Sequence, residues 1–183
     1  MELRIKKVKI RSTEIKRIYF EAFPKRERMP FFMMVVMSKL WNTQFFGFYD
    51  GDIPCGFTYL ASNRKIVFVM FFAVDESLRS KGYGSLILQQ LKNKYPDKKI
   101  IISIEPCDDN APNIDLRKRR KSFYMRNGYN ETGYMMKLNG VVQEIVITNG
   151  EFVKKEFYSF FALYSFGSVH PKMWKQSHQN ILT

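Results

Sequence analysis

Seven consecutive residues, Arg79-Ser80-Lys81-Gly82-Tyr83-Gly84-Ser85, bring two cations, two glycines and hydroxyl groups into one short stretch. Before them runs Ile66-Val67-Phe68-Val69-Met70-Phe71-Phe72-Ala73-Val74, apolar throughout, which predicts a central strand buried on both faces. After them Ile87, Leu88, Leu91 and Tyr95 recur at i, i+1, i+4 and i+8, one apolar face of a helix. The order is therefore strand, polar loop, glycine turn, helix. The first amides of such a helix lack intrahelical partners and carry the positive end of its dipole, so they attract an anion. Gly82 and Gly84 allow φ > 0 and a close approach to the backbone, Arg79 and Lys81 add side-chain cations, and Ser85 offers a hydroxyl. A diphosphate suits this chemistry. A Walker loop does not, because it needs Gly-Lys-Ser/Thr, and a dinucleotide fingerprint needs a third glycine where Ile87 stands.

The pattern Arg-x-x-Gly-x-Gly, between an apolar strand ending in Val74 and a helix, resembles the GNAT superfamily of N-acetyltransferases. The resemblance implies that residues 79–85 form an acetyl-coenzyme A pyrophosphate loop. It also implies that backbone groups of Phe72, Ala73 and Val74 meet the pantetheine arm and the oxyanion. Acetyl transfer to an amine requires a deprotonated amine, a stabilised oxyanion and a protonated leaving thiolate. The segment Ser-Phe-Tyr-Met-Arg-Asn-Gly-Tyr ending at Tyr129 looks like the GNAT segment whose tyrosine is the general acid, which here is Tyr124. Its ordinary pKa of about 10 suits a thiolate of comparable basicity. The alternative is a plain core aromatic.

Glu105, at the end of the strand expected over residues 99–104, is a candidate general base, or else a strand-end carboxylate paired with a nearby cation. Glu27 is a second candidate near the acceptor. Arg117 stands where many GNAT helices carry asparagine, a departure from the family pattern. With Lys121 and Tyr124 it falls at i, i+4 and i+7 on one helix face, so Arg117 and Lys121 are assigned to the coenzyme. Phe31, Met34 and Tyr134 are assigned to the acceptor pocket by analogy with the fold. Two distant cysteines and two histidines in the tail, His170 and His178, give no metal motif.

The elements that must position these groups can be read in order. Residues 3–11 predict a lysine-protected edge strand, and Ser12 caps a helix to about Phe23, stopped by Pro24. Pro30 begins a second helix to about Trp41, apolar on every side and so expected to be covered all round. A hairpin over residues 43–60 turns at Asp50-Gly51-Asp52 and feeds the central strand. The helix from Gly84 to Tyr95 crosses over to a parallel strand at 99–104. A helix from Ile114 to about Asn127 is closed by Gly128, and strands follow on either side of Asn139-Gly140. Residues 151–166 form an amphipathic helix, docked on the sheet or on a second subunit in a homodimer, and the tail from Gly167 has no period.

The expected fold is α/β (α+β): a central mixed, mostly antiparallel sheet with one parallel, splayed strand pair, flanked by helices, plus a C-terminal helix. Residues 1–148 are the GNAT domain, and residues 149–183 pack on it as helix and tail. A chain of 183 residues suits one domain burying roughly 70% of its unfolded surface. No apolar run approaches a membrane span, no secretory signal is visible and a reducing cytoplasm is the default location. A net charge of +13 welcomes anions without choosing among them. The expected function is acetyl-coenzyme A-dependent N-acetylation of a small-molecule amine by direct attack on the thioester, with acetyl-CoA as cosubstrate and no metal. The alternatives are nucleic-acid binding through the basic run 117–121, acetylation of tRNA or protein amines, and coenzyme binding without catalysis. Dispersed charge and the absence of an RNA-recognition signature weigh against nucleic acid.

Overall fold

A computed structural model describes residues 2–176 except Trp41, Asn139 and Phe166. Its described residues form eight strands and five α-helices, a mixed α/β fold, mostly antiparallel, with one parallel strand pair. The chain divides into two compact units, Met1–Ile100 and Ile101–Thr183.

In the first unit β1 (Arg4–Lys7), β2 (Thr43–Asp50), β3 (Ile53–Ser62) and β4 (Ile66–Val74) pair antiparallel in that order. Helices α1 (Thr13–Ala22), α2 (Phe31–Leu40) and α3 (Tyr83–Lys94) complete it. Tyr19 is fully buried among Phe23, Phe31, Phe57 and Phe71, with ring centroids 5.0–6.2 Å apart for its own pairs and for Phe23 with Phe71. A buried phenol needs partners. Tyr19 Oη donates to the Met29 carbonyl at 3.0 Å and accepts from the Met29 amide at 2.8 Å, which fixes the approach to α2.

One expectation is corrected here, and a second, that protein or ligand covers α2 all round, is met by the chain itself on one face only. Ser12 precedes α1 but makes no side-chain cap; its hydroxyl instead accepts from the Lys9 amide at 3.0 Å, tightening the turn before the helix. Helix α2 is not covered all round. Phe31, Met34 and Val35 face the core, while Phe32 and Leu40 remain 59% and 67% exposed, with Met33 and Val36 also open. One helix face against one sheet buries only about half of an all-apolar helix. The expected end of α2 at Trp41 lies outside the described residues.

Strand β5 (Lys99–Ile104) spans the division between the units. The second unit holds α4 (Ile114–Arg126), β6 (Asn130–Leu138), β7 (Val141–Thr148), α5 (Lys154–Tyr164) and β8 (Lys172–Lys175). Gly128, at φ +77°, ends α4 and donates its amide to Met125. Strand β6 pairs antiparallel with β7 on one edge and with β8 on the other, so the tail from Gly167 is not structureless. Helix α5 buries Phe157, Phe160 and Phe161. Of the expected features, Asn139 of the hairpin turn, Phe166 at the end of α5, and His178 fall outside the described residues.

Candidate active site

The loop between β4 and α3 begins at Asp75, whose amide donates to the Cys55 carbonyl on β3 at 2.9 Å. Asp75 Oδ1 accepts from the Ser77 amide at 3.0 Å and from its hydroxyl at 2.6 Å, an Asx turn that starts the short 3-10 turn Glu76–Leu78. Asp75 Oδ2 accepts from Arg17 Nη2 of α1. Burial alone would raise the Asp75 carboxyl, but the Ser77 and Arg17 bonds outweigh it and hold the group below its usual range. The chain then passes through Ser80 and Gly82, both left-handed, at φ +64° and +88°.

Gly82 is the N-cap of α3, and no side chain caps that end. The leading amides of α3 are therefore unclaimed by a side-chain cap, at the positive end of a twelve-residue helix. A Cβ on Gly82 would meet no atom within 4 Å, so the space above the turn is open. Arg79, Ser80 and Lys81 are exposed around it, and Arg79 Nη1 lies 3.4 Å from Glu76 Oε1. Tyr83 turns away to donate to Asp50 Oδ2 at 2.9 Å; that bond, first of all, raises its pKa. Gly84 and Ser85 occupy the first turn of α3. Open space, free amides and two cations fit a diphosphate.

Strand β4 is not a regular strand. Tyr59 pairs with Phe71 but Leu60 pairs with Val69, so Met70 is an extra residue on β4. The bulge reverses the side-chain alternation, and Met70, Phe71 and Phe72 are half-buried where Ile66–Val69 are buried. Phe72, Ala73 and Val74 lie between this bulge and the loop that leads into α3. Between α1 and α2, Glu27 sits in a 3-10 turn with Arg26 Nε 3.4 Å from its carboxylate. Phe31 and Met34 lie in the apolar core together with Tyr19, Phe45 and Ala73.

In the second unit, the basic run on α4 is largely committed to carboxylates. Glu105 is bridged by Arg120 Nη1 and, at 3.6 Å, by Arg117 Nη2. Arg117 also donates to Asn113 Oδ1 at 2.8 Å and to the Pro106 carbonyl at 3.0 Å, clamping the loop before its own helix. Lys118 reaches Asp109 at 2.9 Å. Lys121 Nζ sits between Glu131 at 2.9 Å and the buried Glu144 at 2.8 Å. Burial lowers the Lys121 ammonium, yet both carboxylates together raise it overall.

A cavity of about 410 Å³ opens beside Lys121, with Cys107, Met125 and Glu131 in its wall. Tyr124 is buried against Tyr129, ring centroids 5.7 Å apart, and burial pushes its phenol up to about 12 despite the nearby Arg120 charge. Tyr134 packs on Phe152 at 5.2 Å, on a stretch of β6 that bulges between Glu131 and Met135.

Residues 12–123, more than half of the chain, match the acetyltransferase (GNAT) family. The chain belongs to that family. Among solved structures, this GNAT chain is similar to a putative GNAT acetyltransferase from Bacteroides thetaiotaomicron. Identity is 20% and TM-score 0.71 over 90% of this chain and 98% of that one. A Bacillus subtilis acetyltransferase in complex with CoA aligns at 16% identity and TM-score 0.56, covering 81% and 99% of the two chains. A GNAT acetyltransferase from Elizabethkingia anophelis with acetyl-CoA bound aligns at 13% and 0.58, covering 81% and 99%. At these identities the likeness is one of fold. No curated protein sequence matches the chain.

Two residues that shape the loop between β4 and α3 escape a reading of spacing alone: Asp75, which makes its first turn, and Arg17 of α1, which neutralises that carboxylate. The local Asp-x-Ser sequence is the signal for the Asx turn. Nothing near Arg17 in sequence points to a partner 58 residues away.

Proposed function

We propose that this GNAT acyltransferase uses acetyl-coenzyme A, held at residues 79–85, to acetylate the amine of a small molecule. The observation that carries the coenzyme assignment is the uncapped N-terminus of α3 behind the left-handed Gly82, with open space above it. Residues 79–85 would take the diphosphate through the α3 amides, Arg79 and Lys81, and the strand end at Phe72, Ala73 and Val74 would offer backbone groups. When bound, the coenzyme supplies a thioester-activated acetyl group. Arg117 and Lys121 are occupied by carboxylates, so in this reading the phosphate contacts fall chiefly to the loop.

Tyr124 is the proposed proton donor: a phenol held near 12 stays protonated across the physiological range. Glu105 and Glu27 remain the candidate acceptors of the amine's proton. Glu105 would have to act while bridged by two guanidinium groups. Burial raises both the Cys55 and the Cys107 thiol, so neither is primed as a nucleophile, which favours direct transfer over a covalent cysteine relay.

The small-molecule assignment rests on where the charge is spent. Arg117, Lys118, Arg120 and Lys121 are each paired with a carboxylate, leaving the densest basic run poorly suited to phosphates of RNA. The residues assigned to the acceptor beside Glu27 are apolar or aromatic: Phe31 and Met34 on the core side of α2, and Tyr134 on Phe152. Among the described residues no helix is long and apolar enough to cross a membrane. The test is to offer labelled acetyl-coenzyme A with amines, amino acids, peptides and charged tRNA. Transfer to a small amine is expected. Salt-sensitive labelling of tRNA alone, or of peptides alone, would overturn the assignment.

A further inference from the structure

The phosphate loop is held in shape from outside itself. Its first residue, Asp75, is fixed to β3 through its amide and to its own turn through Ser77, and its second carboxylate oxygen is taken by Arg17 of α1. The Asp75 side chain is only 6% exposed, whereas that of Arg17 is 49% exposed and uses its other arm on Glu21 at 2.7 Å. A buried carboxylate without a counter-charge is costly and turns outward to water or takes up a proton. Either change would undo the Asx turn that launches the loop. Downstream, Ser80 and Gly82 both stand in the left-handed region, which glycine adopts freely but which a serine keeps only when its surroundings dictate it. The turn at Asp75 is one of those surroundings, since Leu78 donates to the Asp75 carbonyl at 3.0 Å and Arg79 to Glu76 at 3.3 Å.

We propose that Arg17 and Asp75 are a positioning pair for the coenzyme: the guanidinium on α1 keeps the Asp75 carboxylate in place, and the carboxylate keeps Arg79, Gly82 and the α3 amides in their binding arrangement. Neither residue touches the diphosphate in this account; both act through the loop. Placement on α1 matters, because the guanidinium couples the position of that helix to the first turn of the loop. The inference rests on the proposal that residues 79–85 bind coenzyme A.

The test is calorimetric titration of coenzyme A into the full-length protein and into Arg17→Ala, Asp75→Asn, the double variant and Arg17→Lys. Each is measured well below its thermal midpoint, with circular dichroism confirming the folded state. Affinity is expected to fall about 5- to 30-fold in Arg17→Ala and in Asp75→Asn, less than the roughly 10- to 150-fold for losing a direct hydrogen bond to a charged group, because both residues act through the loop. The double variant should be no weaker than the weaker single variant, and Arg17→Lys should recover part of the loss. Amide exchange over residues 76–82 should rise in Arg17→Ala while β2 and β3 stay protected.

Unchanged affinity in Arg17→Ala beside a wild type that binds would overturn the pair and leave the coenzyme assignment standing. Strictly multiplicative losses in the double variant would do the same, since the two side chains would then act separately. A wild type that binds no coenzyme A would instead remove the assignment on which the inference rests.

Discussion

Gly56 on β3 lies so close to Ala73 on β4 that a Cβ built on it would stand 2.4 Å from the Ala73 carbonyl oxygen. Val74 Cα and Ile87 Cδ1 would each be 3.1 Å away. Ile87 can rotate; the Ala73 carbonyl cannot move without moving β4. Gly56→Ala should therefore destabilise the fold by about 1–3 kcal/mol, the usual cost of overpacking. It should also weaken coenzyme A binding, because the strand end assigned to the pantetheine arm is what must yield. Urea unfolding and calorimetry check the two effects, and wild-type values in both would show that β3 can yield instead.

Ser80 occupies the left-handed region at φ +64°, a conformation that costs a residue with a Cβ roughly 1–2 kcal/mol. Glycine would relieve that strain but loosen the unfolded chain, which offsets part of the gain. The expected outcome for Ser80→Gly is a net stabilisation below ~1 kcal/mol, a rise of up to about 4 °C in thermal midpoint. A lower midpoint would mean that the serine side chain contributes more than its backbone costs.

Tyr124→Phe keeps the ring on Tyr129 and deletes only the phenol. A donor held near 12 is mismatched to an ordinary thiol near 8.5, so its assistance should sit at the lower end of general-acid effects, about 10²-fold. Turnover should fall by that factor in single-turnover assays while coenzyme affinity persists. Because the donor form persists to high pH, no alkaline loss of rate should be traceable to Tyr124 below about pH 11. Full activity in the phenylalanine variant would place proton donation with solvent.

Buried tyrosines contribute to the alkaline limit of stability, Tyr95, Tyr124 and Tyr129 among them. Burial pushes Tyr95 and Tyr124 to about 12 and raises Tyr129 as well, against about 10 in an unfolded chain. Their contribution is intact below pH 10 and is lost as the pH climbs towards 12, because the unfolded state gives up these protons first. Urea midpoints at pH 8, 10 and 11.5 should fall in that order only above pH 10. Phenolate absorbance should show a late fraction that appears together with unfolding. Early titration of all tyrosines in the folded protein would contradict the burial.

The strands and the glycine turn into α3 were legible because their signals are local. β4 is a continuous apolar run, β5 is built on Ile100, Ile101 and Ile102, and Gly128 marks the end of α4. The bulge at Met70 was not, since a strand apolar at every position has no alternation to break when the register slips. Strand β8 escaped notice because four residues, Lys-Met-Trp-Lys, carry too short a period to stand out from a tail. The exposure of Phe32 and Leu40 was hidden by composition, which says that a helix is apolar but not how many neighbours it has. At Lys121 the sequence showed a cation on the expected face; its two carboxylate partners come from β6 and β7, out of reach of helical spacing.

The seating of β6 between β7 and β8 has a consequence for synthesis on the ribosome. The β6–β7 pair can close once its own short hairpin has left the exit tunnel. The other edge of β6, where Tyr134 to Lys137 meet Lys175 to Lys172, stays open until β8 has emerged some 35 residues later. For that interval the nascent chain displays an unpaired row of amides and carbonyls, the kind of template onto which a neighbouring polysome-bound copy can add a strand. A transcript that stalls between α5 and β8 would hold the protein in that state, so translation speed over the last α5 codons should influence the soluble yield.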